Sequence, residues 1–130
     1  MGNPQVERLA SGKYLSLTTF KKDGTSVATP VWVARDGNQL VVITDATSGK
    51  AKRIRNSGRV VLAPCDMRGK VTGPSVDGIA RLTDSTQTDY IAAQIKRKYG
   101  LAYAAIGLLE KLRRREAGDS VGIRIEVEES

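Results

Sequence analysis

The chain has no histidine and one cysteine, Cys65, among its 130 residues. Without histidine there is no Ser-His-Asp or Cys-His engine, no His-ligated haem and no His-bearing zinc site. A single cysteine makes no internal disulfide and leaves too few ligands for a structural metal, so no metal-binding residues are expected. Aromatic residues are also scarce: one Trp, four Tyr and one Phe. Small barrels that bind nucleic acid usually present aromatic faces for base stacking, so nucleic acid is an unlikely partner on this count. No apolar run approaches the roughly 18–20 residues of a membrane span. The first residues, Met1-Gly2-Asn3-Pro4-Gln5, lack a basic start leading into an apolar stretch. A cytoplasmic protein without a secretory signal is therefore expected. Any chemistry must come from a cofactor, from carboxylates, or from Lys, Arg, Tyr and backbone groups.

What is present describes a globular chain. Hydrophobic residues make up 40% and charged residues 27%. The length suits one domain, residues 1–130, with one core. Lys and Arg number 21 against 14 Asp and Glu, a net charge of +7. That excess favours an anionic partner: nucleic acid, an acidic membrane surface or a phosphorylated small molecule.

Periodicity places the elements. Residues 4–11 suit a short helix with Val6, Leu9 and Ala10 on one face. Tyr14 to Phe20 (YLSLTTF) reads as a strand, followed by a turn at Lys21-Lys22-Asp23-Gly24. Thr25 to Ala34 (TSVATPVWVA) reads as one strand, with Val27, Thr29, Val31 and Val33 on one face and Ala28, Pro30 and Trp32 on the other. After Asp36-Gly37-Asn38 comes Gln39 to Thr44 (QLVVIT), apolar enough to be covered on both sides. These three strands are expected to form an antiparallel meander. Pro30 inside the second strand points to an edge or a bulge, because proline donates no ladder bond.

Ser48 is placed to cap a helix running through Arg55, with Gly58 ending it. Strands are expected over Arg59 to Pro64 and Val76 to Leu82, a helix from Thr83 or Asp84 through Lys98, and a second helical piece over Leu101 to Arg115. Val121, Ile123, Ile125 and Val127 alternate with polar or small residues in the last strand. Hairpins without regular βαβ alternation argue for an antiparallel α+β, mainly β, sheet or barrel with flanking helices.

The segment richest in chemistry is Ser48-Gly49-Lys50-Ala51-Lys52-Arg53-Ile54-Arg55. A helix start offers unpaired N–H groups and the positive end of the dipole. Ser48 adds a hydroxyl, Gly49 admits a ligand close to the backbone and Lys50 adds charge. Together they make a phosphate cradle, and a solvated, capped basic helix is the competing reading. It is not a Walker A loop: Ala51 stands where the metal-binding hydroxyl belongs. No GxGxxG follows any strand. The other basic clusters, Lys96-Arg97-Lys98 and Lys111 to Arg115, read as helix faces in water, with guidance of a polyanionic ligand or nucleic acid as the competing reading. Trp32 suits either core packing or one wall of a slot for a planar ring. Cys65 near Arg68 suits either a packed side chain or a reactive thiol.

Taken in order, YLSLTTF with Asp23-Gly24, ATPVW at 28–32, IT at 43–44, SGKAKRIR at 48–55, LAPCDMRG at 62–69 and Lys98-Tyr99-Gly100 span nearly the whole chain. In these segments it resembles the split β-barrel family of pyridoxamine 5′-phosphate oxidase-like proteins, and within it the actinobacterial branch that uses the deazaflavin coenzyme F420. The resemblance implies an FMN-binding type of split barrel and a homodimer with coenzyme sites between subunits. It implies that Ser48, Gly49 and Lys50 hold the coenzyme phosphate and that Lys52 and Arg53 make further tail contacts. Pro30, Val31 and Trp32 would run beside the ring, with Thr44 nearby, and the corner of Pro64, Cys65 and Arg68 would close the groove. Ser57-Gly58 replaces the Asn-Pro that relatives often carry there. The implied activity is hydride transfer from reduced coenzyme F420 to an unsaturated small-molecule substrate, with no catalytic side chain singled out. FMN-dependent oxidase or reductase chemistry on the same fold, a non-enzymatic coenzyme carrier and a basic nucleic-acid-binding barrel are the alternatives. The net positive charge favours coenzyme F420, whose tail carries phosphate and carboxylates.

Overall fold

A computed structural model describes residues 3–100 and 120–128. The elements are α1 (Pro4–Ser11), β1 (Tyr14–Phe20), β2 (Ser26–Val31), β3 (Ala34–Asp36), β4 (Gln39–Asp45), α2 (Gly49–Asn56), β5 (Arg59–Cys65), β6 (Val76–Leu82), α3 (Ser85–Tyr99) and β7 (Ser120–Val127). The helical piece expected over 101–115, with its basic cluster at 111–115, lies outside the described residues. The strands form one antiparallel sheet in the order β2-β1-β5-β6-β7-β4-β3, curled as a split barrel.

Period-two patterning sets the inner face. Leu15, Leu17, Leu40, Val42, Leu62, Ile123 and Ile125 are fully buried in one core. Their register partners agree: Leu40 faces Ile125 and Val42 faces Ile123, and Leu17 faces Leu62. Helices close the two ends. Val6 and Leu9 of α1 enter the core at one end and Ile54 of α2 enters it at the other. Asn3 caps α1 through the Gln5 N–H and ties it to β7, its Nδ2 donating 2.9 Å to the Val127 carbonyl.

The third helix packs outside. Thr88, Ile91, Ile95 and Tyr99 recur at helical spacing and are buried. They cover Ala34, Val41 and Ile43 on the outer face of β3 and β4. β4 is therefore covered on both sides, as its apolar run predicts. Gly122 of β7 allows α3 its close approach: a Cβ there would lie 2.7 Å from Ile91 Cδ1 and from Thr83 Oγ1, and 3.3 Å from the Thr88 Cα.

The expected three-stranded meander does not form. β1 pairs β2 and β3 pairs β4, but β2 and β3 occupy opposite edges of the sheet. The run Thr25 to Ala34 is thus two strands separated by Trp32-Val33. Val33 is fully buried, and α3 satisfies its peptide groups instead of a neighbouring strand. Its N–H donates to Tyr99 Oη at 3.0 Å, and its carbonyl accepts from Lys98 Nζ at 2.7 Å. Trp32 stacks on the Tyr99 ring, centroids 4.3 Å apart and planes 6° from parallel. Lys96, Arg97 and Lys98 are all exposed, as a helix face in water predicts, and the Lys98 ammonium is in addition hydrogen-bonded to the Val33 carbonyl. Pro30 lies in edge strand β2, where its missing donor does least harm.

Two expectations follow. Gly122→Ala should cost about 1–3 kcal/mol, the usual range for overpacking, read as a lower urea midpoint with an unchanged slope. The second concerns pH. Burial raises the Tyr99 phenol above its ordinary value, so the folded chain holds that proton more tightly than the unfolded one. Its contribution is complete below about pH 10, the unfolded value, and is lost as pH rises through the folded value. Burial lowers Lys98, and its contribution runs the other way, growing as pH rises toward about 10.4. The stability gap between wild type and Tyr99→Phe should therefore narrow above pH 10 in urea titrations. A constant gap would contradict the buried phenol.

Candidate functional site

The helix cap expected at Ser48 forms. Ser48 is the extended N-cap of α2, and its Oγ accepts from the Ala51 N–H at 3.1 Å. The same hydroxyl lies 3.3 Å from Thr44 Oγ1, so Thr44, expected near Pro30, Val31 and Trp32, has its side-chain contact at the start of α2. Ser48 is thus occupied with capping and with Thr44, which leaves the charge of the cradle to its neighbours. Lys50 sits half-buried in the first turn and Lys52 is exposed.

Arg53 folds back over the helix start. Its Nη1 lies 2.6 Å from where a Cβ on Gly49 would stand, so glycine at 49 makes room for the Arg53 guanidinium. Arg53 Nε donates 2.5 Å to Thr19 Oγ1 on β1. Thr19 was not singled out from the sequence; its signal is a lone fully buried threonine on the inward face of a strand. Arg59 adds a cation over the Phe20 ring, 4.5 Å from its centroid, at the same end of β1.

The remaining candidates gather at the other end of β1. Pro30 pairs with Ser16, and Val31 with Leu15. Pro64 of β5 also faces Leu15, and Cys65 faces Tyr14. β6 pairs β5 only from Arg59 to Leu62, so Pro64 interrupts no ladder on that side. Beyond it Asp66 organises the corner: its Oδ1 accepts from the N–H groups of Arg68 and Lys70, each at 2.9 Å. Gly69 backs onto the Pro30 ring, which brings the corner over the end of β2. Arg68 is exposed there. Trp32, half-buried, already has one ring face against Tyr99.

The structure therefore assembles two groups, a cationic one around α2 and a corner around Pro30. They lie toward opposite ends of β1, and their contacts on it, Thr19 and Ser16, project from opposite faces of that strand. Elsewhere, Ala10, Ala34, Arg35, Arg97 and Lys98 help to line an open groove of about 490 Å³ between α1, β3 and α3; Arg97 and Lys98 come from the basic cluster singled out in the sequence. Among the described residues no cluster of His, Cys, Asp and Glu is arranged to hold a metal, and no helix is long and apolar enough to cross a membrane.

Cys65 is buried. Burial raises its thiol above the ordinary value, and Asp66 adds to the effect. A thiol held in that form is a poor nucleophile, which favours the packed reading. Cys65 should react with a disulfide reagent at least about tenfold more slowly in the folded chain than in urea, as expected from its lost thiolate and access. Equal rates would restore the reactive reading.

Residues 4–130 match the family model described as pyridoxamine 5′-phosphate oxidase. Similar solved structures include the conserved hypothetical protein Rv2991 of Mycobacterium tuberculosis, at 20% identity and TM-score 0.68, covering 95% of this chain and 78% of that one. The haem-storage protein HutZ of Vibrio cholerae is similar at 14% identity and TM-score 0.68, covering 100% and 93%. A protein described as F420 reductase is similar at 18% identity and TM-score 0.64, covering 94% and 92%. At these identities the structures share the fold. No curated protein matches. With the family model spanning nearly its full length, the chain belongs to the pyridoxamine 5′-phosphate oxidase family.

Proposed function

We propose that this chain is an oxidoreductase of the deazaflavin-using branch of its family, binding coenzyme F420 and delivering hydride to an unsaturated small molecule in the cytoplasm. The observation that carries the reading is the start of α2, where the Ser48-capped terminus bears Lys50 in its first turn and Arg53 folds back past Gly49 to reach Thr19. Helix N–H groups and fixed cations at that point suit a phosphate. Lys52 and Arg59 extend the positive charge for an anionic tail. Pro30 and Val31 would lie along the ring, with the corner around Arg68 limiting access of water.

The bound coenzyme supplies the two-electron chemistry. The protein's part is to hold one ring face toward the substrate and to place positive charge where negative charge develops. The substrate double bond takes the hydride at one carbon and a proton from solvent at the other. A homodimer completes the reading, each groove closed by the second subunit. Ile79, 59% exposed on the outer face of β6, gives such pairing an apolar contact. FMN remains the second coenzyme to test, because its phosphate would use the same cradle. Haem is less suited, since the chain has no histidine to ligate iron.

Fluorescence titration should give saturable binding of oxidised coenzyme F420 and weaker binding of FMN. Lys50→Ala should lose about 1.5–3 kcal/mol of that binding, the usual contribution of a hydrogen bond to a charged group. Preference for FMN would move the chain to flavin chemistry. Unchanged affinity in a folded Lys50→Ala variant would remove α2 from the site.

A further inference from the structure

We propose that Lys98 and Tyr99 are positioning residues for the coenzyme ring, fixing the strand end Pro30–Trp32 from the last turn of α3. The proposal rests on the coenzyme reading above but concerns residues which that reading leaves unused.

The argument starts at Val33. A buried peptide group needs hydrogen-bond partners, and Val33 lies between strands at opposite sheet edges. Tyr99 Oη accepts from its N–H at 3.0 Å and donates to the Lys13 carbonyl at 2.6 Å. Lys98 Nζ donates to the Val33 carbonyl at 2.7 Å and spends its other two protons on Ala10 and Gly12, at 2.6 and 2.8 Å. An ammonium has three donors, and all three are used on carbonyls. Two of those belong to the end of α1, where the helix dipole favours a cation. One side chain therefore ties α1, the crossing and α3 together.

The effect reaches the site through adjacent residues. Trp32 is held by the Tyr99 ring. Pro30 and Val31 are held on their other side by Ser16 and Leu15 of β1. The strand end thus has two supports, the β1 ladder and the end of α3. Lys98 takes no part in the main barrel core, so its loss should free Trp32 without emptying that core. The three carbonyls form a cage that suits a compact alkylammonium, whereas the flat fork of arginine cannot converge on all three.

Trp32 is the only tryptophan, so its emission reports the stack directly. In Lys98→Ala the emission should shift to the red, and affinity for coenzyme F420 should fall about tenfold or more, as misplaced binding groups do. Propylammonium chloride should restore both, and sodium chloride at equal ionic strength should restore neither. If Lys98→Ala fails to fold, Lys98→Arg should fold and show the same red shift, and Tyr99→Phe should weaken binding while keeping the stack. A folded Lys98→Ala with wild-type emission and affinity would overturn the proposal. So would lost affinity with unchanged emission and no rescue by the amine. If wild type binds neither coenzyme F420 nor FMN, the coenzyme reading fails; the red shift and its rescue by the amine then decide whether Lys98 positions Trp32.

Discussion

The structure depends on one crossing. Two strands that are consecutive in the chain, β2 and β3, end up at opposite edges of a seven-stranded sheet, joined only by Trp32 and Val33. So short a connection cannot span a flat sheet of that width, since neighbouring strands are about 4.8 Å apart. The sheet must curl until its edges approach. Curling creates an interior, and α1 and α2 fill its two ends with Val6, Leu9 and Ile54. It also strands a buried peptide at Val33, which α3 completes through Lys98 and Tyr99.

The same curl arranges the candidate site. β1 lies between β2 and β5, so one strand carries both groups: Thr19 under Arg53 at one end, Ser16 beside Pro30 and Ala63 toward the other. The barrel thereby fixes a cationic helix terminus and a corner that folds over Pro30 at opposite ends of one strand.

The cations show why residue type alone is ambiguous. Lys96, Arg97 and Lys98 are adjacent in sequence and look alike there. All three are exposed, but the Lys98 ammonium sits among three carbonyls. Burial lowers its affinity for the proton, a cost that only its three acceptors offset. Arg53 similarly turns from a tail of basic residues into a specific contact with Thr19. In both cases the partner lies more than thirty residues away, out of reach of any local pattern.

Much of the fold was legible because it is local. β1 and β6 follow the expected boundaries, and the alternation over Val121 to Val127 lies in β7. The Ser48 cap and the Asp84 cap appear where side-chain oxygens precede helical runs. The candidate cradle was legible for the same reason, since a helix start carries its donors and charges within a few residues. The break in Thr25 to Ala34 was not legible, because Val, Trp and Val are good strand formers and nothing in them marks a change of edge. The stack of Trp32 on Tyr99 and the contact of Gly69 with Pro30 were hidden for a related reason: each is made after the sheet has curled. The sequence by itself determined which segments are strands and helices and which helix start gathers positive charge, because period and capping act over a few residues. Only the tertiary structure decided strand order, the fate of Val33 and which cations are fixed, because those depend on partners that closure of the sheet brings together.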